Sequence, residues 1–304
     1  MRLVRIVAGL VFAAALTGAM TGGAGAVTLL SDARMTLPQY AHAHDQSPKL
    51  YEARYAATGM VICNGVYSTG QLTVRDDIVT TAAHAFFGPG GSPRGNLSAF
   101  VFAINTDGVH RRIPFDIATL QVGTRNPYPL PPADDWAVVR LKEPVVGARP
   151  YEDGDGAPIG TSIVLVAHRH RGWAYDGLRA IEACRIRAET AAPPRDPREI
   201  DIDCSAGDGA SGSAIMVPGS TCRMVGIYVG WRSSHPDAIS PYSAHHLNFG
   251  ITVQGAFRDT ILRVAHEEGR PTVEVASPAE GTAPGEPITK ATARIAAVGL
   301  ATTH

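Results

Sequence analysis

Charge is scarce in this chain and balanced in sign. Only 18% of the 304 residues are charged, and the formal net charge is -1. A basic surplus that would grip a phosphate backbone or an anionic bilayer is missing, which argues against nucleic-acid and membrane-surface partners. Long apolar runs are also missing after residue 26, so no later segment offers the ~20 residues that a helical membrane span needs. Cysteine is sparse: there are 4, and none stands in a Cys-x-x-Cys or Cys-x-x-His spacing. A structural zinc site is therefore not expected, nor is any other metal or cofactor. No segment of the chain repeats another.

Turn formers, by contrast, are abundant. With 32 Gly and 22 Pro the chain suits a fold of short strands and many turns. A core of this length can bury a large apolar interior without help from metals.

The first 26 residues read as an export signal. Arg2 and Arg5 precede the apolar stretch Ile6 to Met20, and Ala24-Gly25-Ala26 supplies a small-x-small cleavage pattern. Cleavage after Ala26 predicts a soluble mature chain in the periplasm or outside the cell, and a monomer is the expectation for its assembly. In such an oxidising compartment an even cysteine count suggests disulfides, and four cysteines allow three pairings. Cys184 and Cys204 lie on strand-like segments around a turn at Arg195-Asp196-Pro197. A bridge between them would be worth roughly 3 kcal/mol on the chain-entropy view. Cys63 and Cys222 are left paired or free.

Residues 27–56 read as a polar, extended segment. From there to Val253, short β-branched runs alternate with Gly, Pro, Asn and Asp. They include Met60–Val66, Ile78–Ala83, Trp136–Leu141, Trp173–Ile186, Ser213–Val217 and Met224–Trp231. A Pro/Gly/Asp-rich stretch near Gly147–Gly160 divides them, which predicts two all-β units, 57–150 and 151–270. The second ends in an amphipathic helix over Gly255–Glu268, with Phe257, Ile261, Leu262, Val264 and Ala265 on one face. Residues 271–304 carry too few large apolar side chains to fold and are expected to be a disordered tail.

Three segments carry the elements of nucleophilic acyl transfer, which needs a hydroxyl, a base, an orienting carboxylate and N–H donors for an oxyanion. Val79-Thr80-Thr81-Ala82-Ala83-His84 is a run of small and β-branched residues ending in an imidazole. In Asp134-Asp135-Trp136-Ala137-Val138-Val139 an acid opens an apolar strand. Asp135, next to the buried run, is the better shielded of the two. Gly207-Asp208-Gly209-Ala210-Ser211-Gly212-Ser213 sets a serine between glycines, as a tight turn requires if the N–H groups of Gly209 and Ser211 are to converge on one oxygen. The other histidine groupings, His168-Arg169-His170 and His245-His246, have no acid or cysteine to complete a ligand set and read as solvated strand faces.

In the order His, Asp, Ser, these segments resemble the signatures of the trypsin/chymotrypsin superfamily. Gly-x-Ser-Gly-Ser, Asp-Trp-Ala and Cys204 seven residues before the serine are closest to its bacterial glutamyl-endopeptidase-like branch. The resemblance covers about residues 56–265. It implies two antiparallel six-stranded β-barrels with a C-terminal helix, a protein or peptide substrate, and an acyl-enzyme formed on Ser211. His84 would be general base and Asp135 its orienter, with Gly209 and Ser211 forming the oxyanion hole. Ser205, Tyr228, Gly230 and Gly250 would sit in the walls of the substrate pocket. Ala210 stands where trypsin-like zymogens carry the acid that pairs with a freed N-terminus, so ordering by that ion pair is not expected. Ser205 is not the aspartate that selects basic side chains, and Tyr228 replaces the histidine usual in glutamyl endopeptidases. A double-barrel binding protein without turnover is the competing expectation. An α/β-hydrolase is disfavoured, because Ser213 takes the place of the last glycine in Gly-x-Ser-x-Gly and the chain order differs.

Overall fold

Short strands that are apolar on both sides cannot stay at an open edge, and here they close on themselves. A computed structural model describes residues 27–129, 132–171, 173–193, 196–219, 221–236 and 238–267. The expected export signal (1–26) and tail (271–304) lie outside the described residues.

Six strands make the first barrel: β1 (Thr58–Cys63), β2 (Val66–Leu72), β3 (Ile78–Thr81), β4 (Val101–Thr106), β5 (Val109–Val122) and β6 (Ala137–Leu141). They close in the order β1-β2-β3-β6-β5-β4. The second barrel is built from β7 (Ser162–Ala167), β8 (Ala180–Glu189), β9 (Glu199–Ile202), β10 (Ala214–Val217), β11 (Arg223–Ser233) and β12 (His246–Thr252). Pairing of β7 with both β8 and β10 closes it, in the order β7-β8-β9-β12-β11-β10. All pairings around both rings are antiparallel. The two rings share one topology although their sequences do not repeat.

Turn chemistry corrects two expected strands. Met60–Val66 is not one run, because Asn64 and Gly65 adopt positive φ (43° and 86°) and fold β1 back onto β2. Trp173–Ile186 is shorter than expected, since β8 begins only at Ala180 and the residues before it are turns. The segment 27–56, expected to be extended, carries two short helices, α1 (Leu37–Ala43) and α2 (Pro48–Arg54). Thr36 and Gln39 form a reciprocal capping box at the start of α1, which satisfies two N–H groups that a helix end leaves open.

The C-terminal helix α3 (Gly255–His266) buries Phe257, Ile261, Val264 and Ala265 as its periodicity requires. It crosses to the first barrel, where Phe257 stacks on Trp136 with ring centroids 5.2 Å apart. The negative end of its dipole meets two arginines from that barrel. Arg75 donates to Ala265 O at 3.0 Å, and Arg140 donates to Val264 O and Glu267 O. Asp77 pairs with Arg140 at 2.8 Å and balances its charge. The helix thereby fixes β6, the strand that Asp135 precedes.

Candidate active site

The sequence around His84 places it by making its neighbours small. After β3 the chain runs extended through Ala82 and closes one tight turn over Ala83–Ala85. Ala82, Ala83 and Ala85 are all buried, so the backbone packs flat against the barrel and only the imidazole stands clear. Asp135 meets it from the start of β6 with both carboxylate oxygens. One accepts the His84 backbone N–H at 2.9 Å, and the other lies 2.6 Å from Nδ1. Asp135 is only 4% exposed. An ionised carboxylate there makes Nδ1 the protonated ring nitrogen and holds the ring from two directions. The neighbouring Asp134 does not reach His84. Its backbone carbonyl accepts from Trp136 N, and burial, together with Asp196, raises its carboxyl above the usual range.

Ser211 sits on a turn between two positive-φ glycines, Gly209 (91°) and Gly212 (85°). Gly212 has a second reason to be glycine: a Cβ there would lie 2.2 Å from both Thr69 O and Thr81 Oγ1. The turn is fastened to the first barrel by Thr69, whose N–H donates to Ser211 O and whose hydroxyl donates to Gly209 O, each at 2.8 Å. The N–H of Gly212 donates to Tyr228 O at 2.7 Å. Among the described residues the N–H groups of Gly209 and Ser211 find no acceptor. Two unpaired donors in one turn are available to an anionic oxygen.

His84, Gly209 and Ser211 line one cleft of about 740 Å³, together with Arg94, Arg169 and Arg171. Asp208 is the acid on its wall. Arg169 stacks on Tyr67 at 4.2 Å and lies 3.5 Å from Asp176.

The residues expected in the walls of the substrate pocket have other partners as well. Ser205 is fully buried, its hydroxyl accepting Leu29 N at 3.0 Å and its N–H donating to Glu182 at 2.8 Å. Tyr228 is buried and donates to Asn248 at 3.1 Å. Asn248 in turn donates to Val27 O at 2.9 Å and Cys204 O at 2.7 Å. Gly230 lets the Phe249 ring lie against its backbone, and Gly250 admits Ile227 O. None of the four lines the cleft that holds His84 and Ser211. Ser205, through Leu29, and Tyr228, through Asn248, instead receive the stretch Val27–Leu29, which also exchanges backbone hydrogen bonds with Ala206 through Val27. This docking had no local signal, because it joins positions about 180 residues apart. Thr69 was missed for the same reason.

Cys184 and Cys204 are disulfide-bonded, while Cys63 and Cys222 are free. His168 and His170 follow the end of β7 in irregular backbone, not on a strand as expected. Burial depresses them to about 4 and about 3. Among the described residues no three His, Cys, Asp or Glu side chains gather as a metal site, and no helix is long and apolar enough to cross a membrane.

No protein-family model matches the chain, and no curated protein matches it. Solved structures do. A Glu endopeptidase solved in complex with MPD is similar at 16% identity and TM-score 0.52, over 78% of this chain and 98% of that one. The protease Anisep from Arthrobacter nicotinovorans aligns at 14% identity and TM-score 0.49, over 70% of this chain and 97% of its own. With the two closed barrels, the first likeness gives the chain the fold of the trypsin/chymotrypsin-like serine proteases.

Proposed function

We propose that this protein is an exported serine endopeptidase, with Ser211 as nucleophile, His84 as general base and then acid, and Asp135 as the residue that orients the base. The observation that carries the reading is the two-oxygen hold of Asp135 on His84 in the cleft that also contains Ser211. With Nδ1–H committed to Asp135, Nε2 is the nitrogen that can take the Ser211 proton as Oγ attacks a peptide carbonyl. The carbonyl oxygen, now anionic, is received by the Gly209 and Ser211 N–H groups. The C–N bond breaks, the imidazolium returns its proton to the leaving amine, and water repeats the sequence in reverse on the acyl-enzyme. Three arginines against one aspartate on the cleft wall favour peptides that carry carboxylates. Export is supported by the disulfide and by the leader-like residues 1–26.

One observation favours a second reading, a double-barrel binding protein without turnover: Ser205 and Tyr228 serve the docked Val27–Leu29 stretch and do not line the cleft. A fluorophosphonate probe separates the two. Covalent labelling at Ser211, abolished in Ser211→Ala, supports the hydrolase. An unlabelled, folded protein supports the binder.

A further inference from the structure

A second cavity of about 740 Å³ opens between α1, α2, the β4–β5 hairpin and the loop that leads into β8. Four charged side chains line it: Lys49, Glu52, Asp107 and Arg179. Among the described residues none of the four belongs to an ion pair. Arg179 donates Nε to Thr58 O at 2.8 Å and Nη2 to Ala56 O at 3.1 Å and Asn105 O at 2.7 Å. Those carbonyls fix the guanidinium without neutralising it, and Nη1 has no partner among the described residues. Buried positive charge of this kind is costly unless an anion meets it.

Two residues of the same wall each carry an unsatisfied polar atom. Nδ1 of His168 and Oδ1 of Asn105 are buried without a hydrogen-bond partner. Burial keeps His168 near 4, so at neutral pH the ring is uncharged and can present Nδ1–H to an acceptor. Glu52 and Asp107 are exposed at the opening. Two cations and two anions match a ligand that carries both signs, not a plain anion. Leu37, Ala53 and Leu178 add apolar surface to the wall, beside Thr36 and His110. At this volume the cavity is within the usual range for small-ligand sites.

We propose that this cavity binds a short peptide with both termini free, its carboxylate on Arg179 and His168 and its ammonium toward Glu52 and Asp107. The apolar side chain of such a peptide would lie against Leu37 and Leu178. The ligand class is therefore a small zwitterion with an apolar body, held away from the His84–Ser211 cleft.

Calorimetric titration with the dipeptide Ala-Leu tests this without reading turnover, so its failure and failure of the hydrolase reading are distinct. The expected dissociation constant is on the order of 1 mM. Amidating the C-terminus, or acetylating the N-terminus, should each weaken binding by about tenfold, the loss of one charge-assisted contact. Ala53→Trp and Leu178→Trp, both at exposed positions, should block the cavity and abolish binding while melting at the wild-type temperature. Arg171→Ala, on the wall of the cleft, should leave binding unchanged. Equal affinity for either capped dipeptide overturns the proposal. So does binding that survives both Trp variants, binding lost in Arg171→Ala, or no heat from Ala-Leu at 20 mM, roughly twentyfold above the expected constant.

Discussion

The protein holds two cavities of about 740 Å³, and the same loop after β7 supplies residues to both: Arg169 and Arg171 to one, His168 and Arg179 to the other. In the cleft of His84 and Ser211 the polar groups are committed to one another in sequence. Asp135 holds the imidazole, and Thr69 holds both ends of the serine turn. Among the described residues the N–H groups of Gly209 and Ser211 are left without an acceptor. Across the loop the second cavity is the reverse. Among the described residues its charges form no ion pair, and two buried polar atoms lack partners. Equal volume therefore does not mean equal purpose. Fixed donors beside the proposed nucleophile suit a transition state, whereas unpaired charges of both signs suit a ground-state ligand. Thr69 stands between the two, since its hydroxyl accepts His168 N at 3.1 Å while donating to Gly209 O.

The strongest way to break this contrast is Ser211→Ala. Loss of the one hydroxyl should lower kcat by about 10⁶ while binding of Ala-Leu at the second cavity is unchanged. Peptidase activity within a few-fold of wild type would end the catalytic assignment. Asp135→Asn should cost about 10⁴ in kcat by favouring the wrong imidazole tautomer, whereas Asp134→Asn should cost little. Equal losses would show that the hold on His84 does not matter.

Gly212→Ala tests how closely the serine turn presses on the first barrel. With a Cβ 2.2 Å from Thr69 O and Thr81 Oγ1, the variant should lose roughly 3 kcal/mol by chemical denaturation. Thr69→Val keeps the shape and the N–H to Ser211 but removes the hydroxyl that joins the two cavities. It should lower stability by about 1–2 kcal/mol and reduce kcat by roughly tenfold as Gly209 loosens. An unchanged kcat would mean that the serine turn orders itself.

Glu182 gives a pH effect that touches neither cavity. It accepts Ser205 N and Ala33 N, and burial pushes its carboxyl up to about 8. The folded state therefore keeps a proton that the unfolded chain has already released above about 4.3. Stability should fall as pH rises toward 8 and then level off. His168 and His170, depressed in the fold, act with the opposite sign, weakening the fold only as pH drops below about 6.5. Melting temperatures between pH 6.5 and 8 thus isolate Glu182, and Glu182→Gln should flatten the slope there.

Much of the site was readable because its parts are local. Ala82-Ala83-His84, Asp135-Trp136 and Gly209-Ala210-Ser211-Gly212 each announce a backbone need: small residues for close packing, an acid against a buried strand, glycines for positive φ. The Asn64-Gly65 and Asp107-Gly108 turns were equally local, with all four residues at positive φ. Reading Met60–Val66 as one strand overlooked the first of them. Thr36 and Gln39 likewise marked a helix start in a segment read as extended.

Sequence alone determined the alternation of strands and turns, the amphipathic helix and the segments that carry the proposed acyl-transfer side chains, because each depends on neighbours within a few positions. Only the tertiary structure decided what meets what. It brought Val27–Leu29 to Ser205 and Ala206, set Thr69 between the serine turn and His168, and gathered Arg179, Glu52 and Asp107 on one cavity without an ion pair among the described residues. The physical reason is range. Strand and turn preferences act over a few bonds, but a hydrogen bond between residues 29 and 205, or a charge without a partner, exists only once both barrels have closed.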